Sequence, residues 1–170
     1  MCIRDRNTLA QAYQQLEWIT KNGNALEPKR KVELYLLKGD VMLQLRCIIR
    51  QPHLPDDQVS DLRAPDETDS NSRGNHMINK AYDAYTEANR QIQRPKTGEE
   101  ADLQLVARTK TYIISWMRGL QLSAAPVAPK IEFGVIATTV RDVLKEMVEE
   151  ELITMEEGRT VWHMQDGLTG

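Results

Sequence analysis

Apolar residues recur along this chain at helical rather than strand spacing. From Asn7 to about Asn22 ("NTLAQAYQQLEWITKN") Leu9, Ala12, Tyr13, Leu16 and Ile19 fall on one stripe, and Gly23 follows as a stop signal. A second pattern opens at Pro28, whose missing N–H needs no partner at a first helical position, and runs to about Arg50. It carries two stripes, one of Val32, Tyr35, Leu36, Gly39 and Leu43, the other of Leu34, Leu37, Val41, Leu45 and Ile48. A helix that is apolar on two sides must be covered on both. A third helix is predicted from near His76, capped by Asn75, with Ile78, Ala81, Tyr82, Tyr85, Ala88 and Ile92 on one face. Thr97 and Glu100 stand at capping-box spacing before a fourth, which runs to about Gly119 with Leu103, Val106, Ile113, Met117 and Leu120 inward.

Two breaks interrupt this succession. The stretch "QPHLPDDQVSDLRAPDETDSNSRGN" is too rich in Pro, Asp, Ser and Asn to pack, which predicts a mobile loop at 51–75. After the fourth helix, "LQLSAAPVAP" marks a domain boundary, dividing a helical segment, 7–121, from a C-terminal part, 122–170. In that last part Thr138 to Glu151 reads as a helix with Val140, Val143, Leu144, Met147 and Val148 buried and Thr139, Arg141, Asp142, Lys145 and Glu146 outside. Leu152 to Met155 and Thr160 to Met164 are then short apolar or β-branched runs separated by "EEGR". With Gly158 able to take the positive φ of a tight turn, the expectation is a β-hairpin.

A helix passing directly into a hairpin resembles the winged helix-turn-helix family. Phe133, Gly134 and Val135 stand where that family has its inter-helix turn, Thr139 and Val140 where its recognition helix starts, and "EEELI…EEGRTVW" where that helix passes into the wing. The resemblance implies a DNA-binding, transcription-regulating module in which Thr138, Thr139, Arg141 and Lys145 face the major groove and Arg159, at the wing tip, reaches a phosphate or the minor groove. Members of the family also serve as protein-docking modules. Further upstream, Tyr35 and Gly39, then Ala81, Tyr85 and Ala88, have spacings similar to the two helices of a tetratricopeptide repeat, with 51–75 as an insertion. An irregular helical bundle with small residues at close crossings accounts for them equally well. The expected class is mainly α: a helical bundle or tetratricopeptide-like helices, then a small winged-helix domain with a C-terminal β-hairpin.

Composition narrows the functions. The chain has 170 residues, 41% hydrophobic and 28% charged, with a net charge of -3. From Ser123 onward, Lys130, Arg141, Lys145 and Arg159 face nine acids, a local balance of -5, so the polyelectrolyte drive toward DNA is small. No apolar run approaches the roughly 18 residues that span a bilayer. With Cys2 set aside, Cys47 cannot form an internal disulfide, which fits a reducing compartment: cytoplasmic by default, nuclear in a eukaryote. His53, His76 and His163 lack metal-ligand spacing and read as loop or surface residues, while Trp18, Trp116 and Trp162 read as packing residues. No phosphate-binding glycine loop or nucleophile elbow occurs, so neither a catalytic site nor a cofactor is expected in this stretch.

The first six residues stand apart from all of these patterns. Met-Cys-Ile-Arg-Asp back-translates naturally to ATG-TGT-ATA-AGA-GAC, which resembles a transposase adapter ligated to fragments in shotgun sequencing. On that reading Met1 to Arg6 is foreign, and the chain from Asn7 onward is the C-terminal part of a longer protein. Two functions remain open. One is a regulatory protein that contacts DNA through the winged helix and a partner or signal through the helices before it. The other is a scaffold subunit, similar to the PCI-type subunits of large complexes, that uses both parts for protein assembly or self-association.

Overall fold

The computed structural model describes residues 3–23, 25–49, 75–122 and 137–169. Among these residues the chain is mainly helical: α1 (Ile3–Asn22), α2 (Pro28–Ile49), α3 (Asn75–Gln91), α4 (Gly98–Leu122), α5 (Ala137–Glu149) and α6 (Met155–Thr169). The loop expected at 51–75, apart from Asn75 itself, and the turn expected at Phe133 to Val135 lie outside the described residues. Helix α1 starts at Ile3, four residues earlier than the periodicity suggests. None of these helices is long and apolar enough to cross a membrane.

Some helix ends have a visible local cause. Leu26 N–H donates to the Gly23 carbonyl at 3.1 Å, and a Cβ at Gly23 would come within 2.7 Å of the Ile19 carbonyl oxygen, so a residue without a side chain closes α1. Thr97 Oγ1 accepts from Glu100 N–H at 3.1 Å, and the Glu100 carboxylate accepts from Lys96 N–H at 2.6 Å. The capping pair read from sequence therefore starts α4. That helix continues past Gly119, its expected end.

Helix α2 is the central element. Val32, Leu36, Val41, Met42, Leu43, Leu45, Ile48 and Ile49 are buried along it, as a two-sided helix requires, although Leu37 of the second stripe remains 50% exposed. It packs between α1 and α3, and α3 packs on α4. Small residues set the α2–α3 spacing: Ala81, Ala84 and Ala88 are buried on α3, and a Cβ on Gly39 would lie only 2.4 Å from Cε1 of Tyr85. Trp116 is buried as expected, in edge contact with Tyr112, whereas Trp18 is 65% exposed and so is not the core residue its type suggests.

The last two helices join the same core. Val140, Val143, Leu144, Met147, Leu152, Ile153 and Val161 belong to one buried cluster with Leu43, Leu45, Ile49, Ile113 and Ile114. Helices α5 and α6 both pack on α4. Cys47 Sγ on α2 also approaches the Leu152 carbonyl at 3.5 Å.

The expected β-hairpin is not formed, and no strand occurs among the described residues. Residues 155–169 are the helix α6, so Arg159, expected at a hairpin tip, lies in its second turn. Two end motifs decide this. At the end of α5, Leu152 N–H donates to the Met147 carbonyl at 2.9 Å and Glu151 N–H to that of Val148 at 3.1 Å, a Schellman cap in which Glu151 takes a left-handed φ of 59°. Thr154 then begins α6 with a reciprocal capping box: Thr154 Oγ1 accepts from Glu157 N–H at 3.1 Å, and Glu157 Oε1 accepts from Thr154 N–H at 3.0 Å. "TMEE" is thus a helix start, and the turn falls before it.

Candidate functional site

Helices α5 and α6 project one stripe each into a shared groove. Arg141, Leu144, Lys145, Val148 and Glu149 come from α5 at steps of three, four, seven and eight, while Met155, Gly158, Arg159 and Trp162 come from α6 at steps of three, four and seven. The groove has a volume of about 390 Å3. Its size lies in the usual range for ligand clefts, about 300–1,000 Å3. Gly158 forms part of the floor: a Cβ there would sit 3.1 Å from Cγ2 of Val148, so glycine allows the two helices their close approach. Met155 is 59% exposed and Trp162 half-buried, which leaves apolar surface facing solvent.

Three of the five residues expected to contact DNA meet here. Arg141, Lys145 and Arg159 are all exposed and line the groove, whereas Thr138 (exposed) and Thr139 (half-buried), at the start of α5, do not. Charge is segregated in this hairpin. Between 137 and 163 the chain holds three Lys or Arg and seven Asp or Glu; all three cations line the groove, and of the acids only Glu149 does. The acidic average of the C-terminal part therefore conceals a basic rim.

A buried ion pair fixes the hairpin to the rest of the molecule. Arg46 on α2, whose side chain is 3% exposed, donates from Nη2 to Glu157 Oε2 at 2.5 Å and from Nη1 to Oε1 at 3.2 Å. Glu157 thus caps α6 and neutralises Arg46 with one carboxylate. A bidentate pair of this kind fixes orientation as well as distance.

A second polar cluster joins α2, α3 and α4. Lys110 Nζ donates to both Asp40 oxygens at 2.9 and 3.1 Å, and Tyr85 OH donates to Asp40 Oδ1 at 2.6 Å. Burial pushes the Tyr85 hydroxyl well above the usual tyrosine range, and the neighbouring Asp40 carboxylate pushes it further. These groups bond to one another, which suits them to holding three helices in register rather than to chemistry on a ligand. On the other side of α2, the Lys38 and Lys80 ammonium groups lie 5.7 and 5.5 Å from the centre of the Tyr13 ring. Burial lowers the Lys38 pKa. Neither Asp40 nor Lys110 stood out in the sequence, and the only signal for their cluster was the Gly39 and Tyr85 spacing.

Of the three histidines, His163 is exposed and His76 half-buried, while His53 lies outside the described residues. No group of three or more His, Cys, Asp or Glu side chains that could hold a metal ion occurs among the described residues. Comparison with known proteins returned no significant match to any family model, curated protein or solved structure.

Proposed function

We propose that this chain is a protein-interaction module, a scaffold-type subunit whose helices α1 to α4 support the α5–α6 hairpin as a docking surface for a helix of a partner protein. One observation carries the reading: exposed Met155 and half-buried Val148 and Trp162 leave apolar surface open along the groove, over a floor of buried Leu144 and Gly158, on a face that no described element covers. Helical stacks end in polar outer faces when nothing docks there. An amphipathic helix laid in such a groove buries its apolar stripe against these side chains. Tetratricopeptide-like packing, in which a small residue admits a large neighbour, is consistent with the Gly39–Tyr85 approach. The test is replacement of Trp162 and Met155 together by Ser, with partner capture or self-association followed by sedimentation. Loss of association with an unchanged thermal midpoint supports the proposal, and association that survives both changes removes it.

A second reading, DNA contact by a helix-turn-helix-like hairpin without a wing, is favoured by the convergence of Arg141, Lys145 and Arg159. Three phosphate contacts imply a logarithmic salt slope of about -3. Titration against mixed duplex DNA at low salt separates the readings: no binding eliminates DNA contact, whereas binding with that slope, lost in Arg141→Ala with Arg159→Ala, favours it over protein docking.

A further inference from the structure

We infer that the groove between α5 and α6 receives an acidic amphipathic helix, a segment whose apolar stripe is flanked by Asp or Glu. This rests on the protein-docking reading above and adds the chemistry of the partner. The argument begins with the arrangement of the lining. Leu144 and Val148 from α5, with Met155, Gly158 and Trp162 from α6, form the apolar strip, and Arg141, Lys145 and Arg159 accompany it. An incoming helix presents side chains at i, i+3 or i+4 and i+7 to a strip of this kind. Its flanking positions then lie beside the cations.

The charge distribution supplies the sign. All three cations of the hairpin line the groove, whereas six of its seven acids are not among the lining residues, Asp142 standing just outside beside Arg141. Segregation of this kind repels a basic partner and attracts an acidic one, and rim charges act mainly on encounter rate and partner choice. The long Arg and Lys stems extend the apolar walls while their heads reach the flanks of the occupant. Among the described residues the Arg141 ion-pair contact is a long one with Asp142, 3.8 Å between two exposed side chains, so it can exchange that neighbour for a partner's carboxylate.

The experiment uses the full chain and two fluorescently labelled helical peptides of about 20 residues, roughly 30 Å long. They share one apolar stripe and differ only in their flanks, Glu in one and Lys in the other. Anisotropy at low salt should show the Glu peptide binding roughly tenfold or more tightly than the Lys peptide, with the gap narrowing as salt screens the rim. Arg141→Glu with Arg159→Glu changes two exposed side chains, and it should reverse the preference. Gly158→Leu fills the floor and should abolish binding of either peptide, with folding of each variant checked by its thermal melt. Equal binding of both peptides, blocked by Gly158→Leu, overturns the acidic partner and leaves the docking reading standing. Preference for the Lys peptide, or no binding of either, overturns the inference. Duplex DNA that binds the chain and competes for the same three cations overturns both readings together.

Discussion

Replacing Gly39 with Ala should destabilise the protein even though alanine is the better helix former. In an exposed helix interior the change gains about 1 kcal/mol. At this position the new methyl group would lie 2.4 Å from Tyr85 Cε1 and 2.8 Å from Cδ1 and Cζ. The ring cannot easily retreat, because Tyr85 is fully buried and its hydroxyl is held by Asp40 at 2.6 Å. Overpacking a filled core costs about 1–3 kcal/mol, and pulling the hydroxyl away from a charged acceptor costs about 1.5–3 kcal/mol more. Against the propensity gain, the net expectation is a loss of about 1.5–5 kcal/mol, or a fall of about 3–20 °C in midpoint for a chain of this size. Equilibrium urea unfolding should show the lower midpoint with an unchanged slope. The control is the same substitution in a Tyr85→Ala background. With the ring gone, Gly39→Ala should become neutral or stabilising by up to about 1 kcal/mol. An increase in stability in the wild-type background, or identical effects in both backgrounds, would refute the steric account.

Other expectations concern the buried polar groups. Glu157→Ala removes both a helix cap and the partner of buried Arg46, and should cost about 3 kcal/mol, the low end for a broken buried pair because the Glu157 side chain is 24% exposed. Thr154→Ala removes only the cap and should cost about 1 kcal/mol, so thermal melts should rank the two clearly. Tyr85 has a folded-state pKa raised well above 10.0, so its neutral form is favoured by folding. Its contribution is complete below the unfolded pKa of about 10 and is lost as pH rises above it. The stability advantage of wild type over Tyr85→Phe should therefore shrink from about pH 9 to pH 11, and a constant difference would show that the hydroxyl titrates freely.

The helices were legible where one face had to be buried. Leu16 on α1, Ile78, Ala81, Tyr85 and Ala88 on α3, and Val140, Val143, Leu144 and Met147 on α5 are buried as their spacing indicates. The C-terminal element was misread because "LITM" and "TVWHM" are β-branched and apolar enough to suit strands, and Gly158 offered a familiar turn residue. What decided the outcome was Thr154–Glu157, a capping box inside an acidic run, and a Schellman cap whose left-handed residue is Glu151 rather than glycine. The cations of the groove were recognised individually, but the apolar strip between them depends on how α6 lies on α5. Asp40–Lys110 and Arg46–Glu157 join residues 70 and 111 positions apart, and no local pattern reports a partner at that distance.

Arg46 gives the chain a particular problem during synthesis. By the time α1 to α4 have left the ribosome, much of the apolar surface that packs on α2 is available, yet the carboxylate that neutralises the Arg46 guanidinium, 111 residues after it in the chain, has still to be made. Until α6 docks, the Arg46 guanidinium lacks the carboxylate it is buried against and keeps its water, so the packing around that part of α2 cannot close before the hairpin is made. Nascent chains shorter than about Glu157 should therefore remain loosely packed. The N-terminal helices would gain their final rigidity only when the last hairpin arrives, and a ribosome stalled between α4 and α6 would expose the same apolar faces to chaperones.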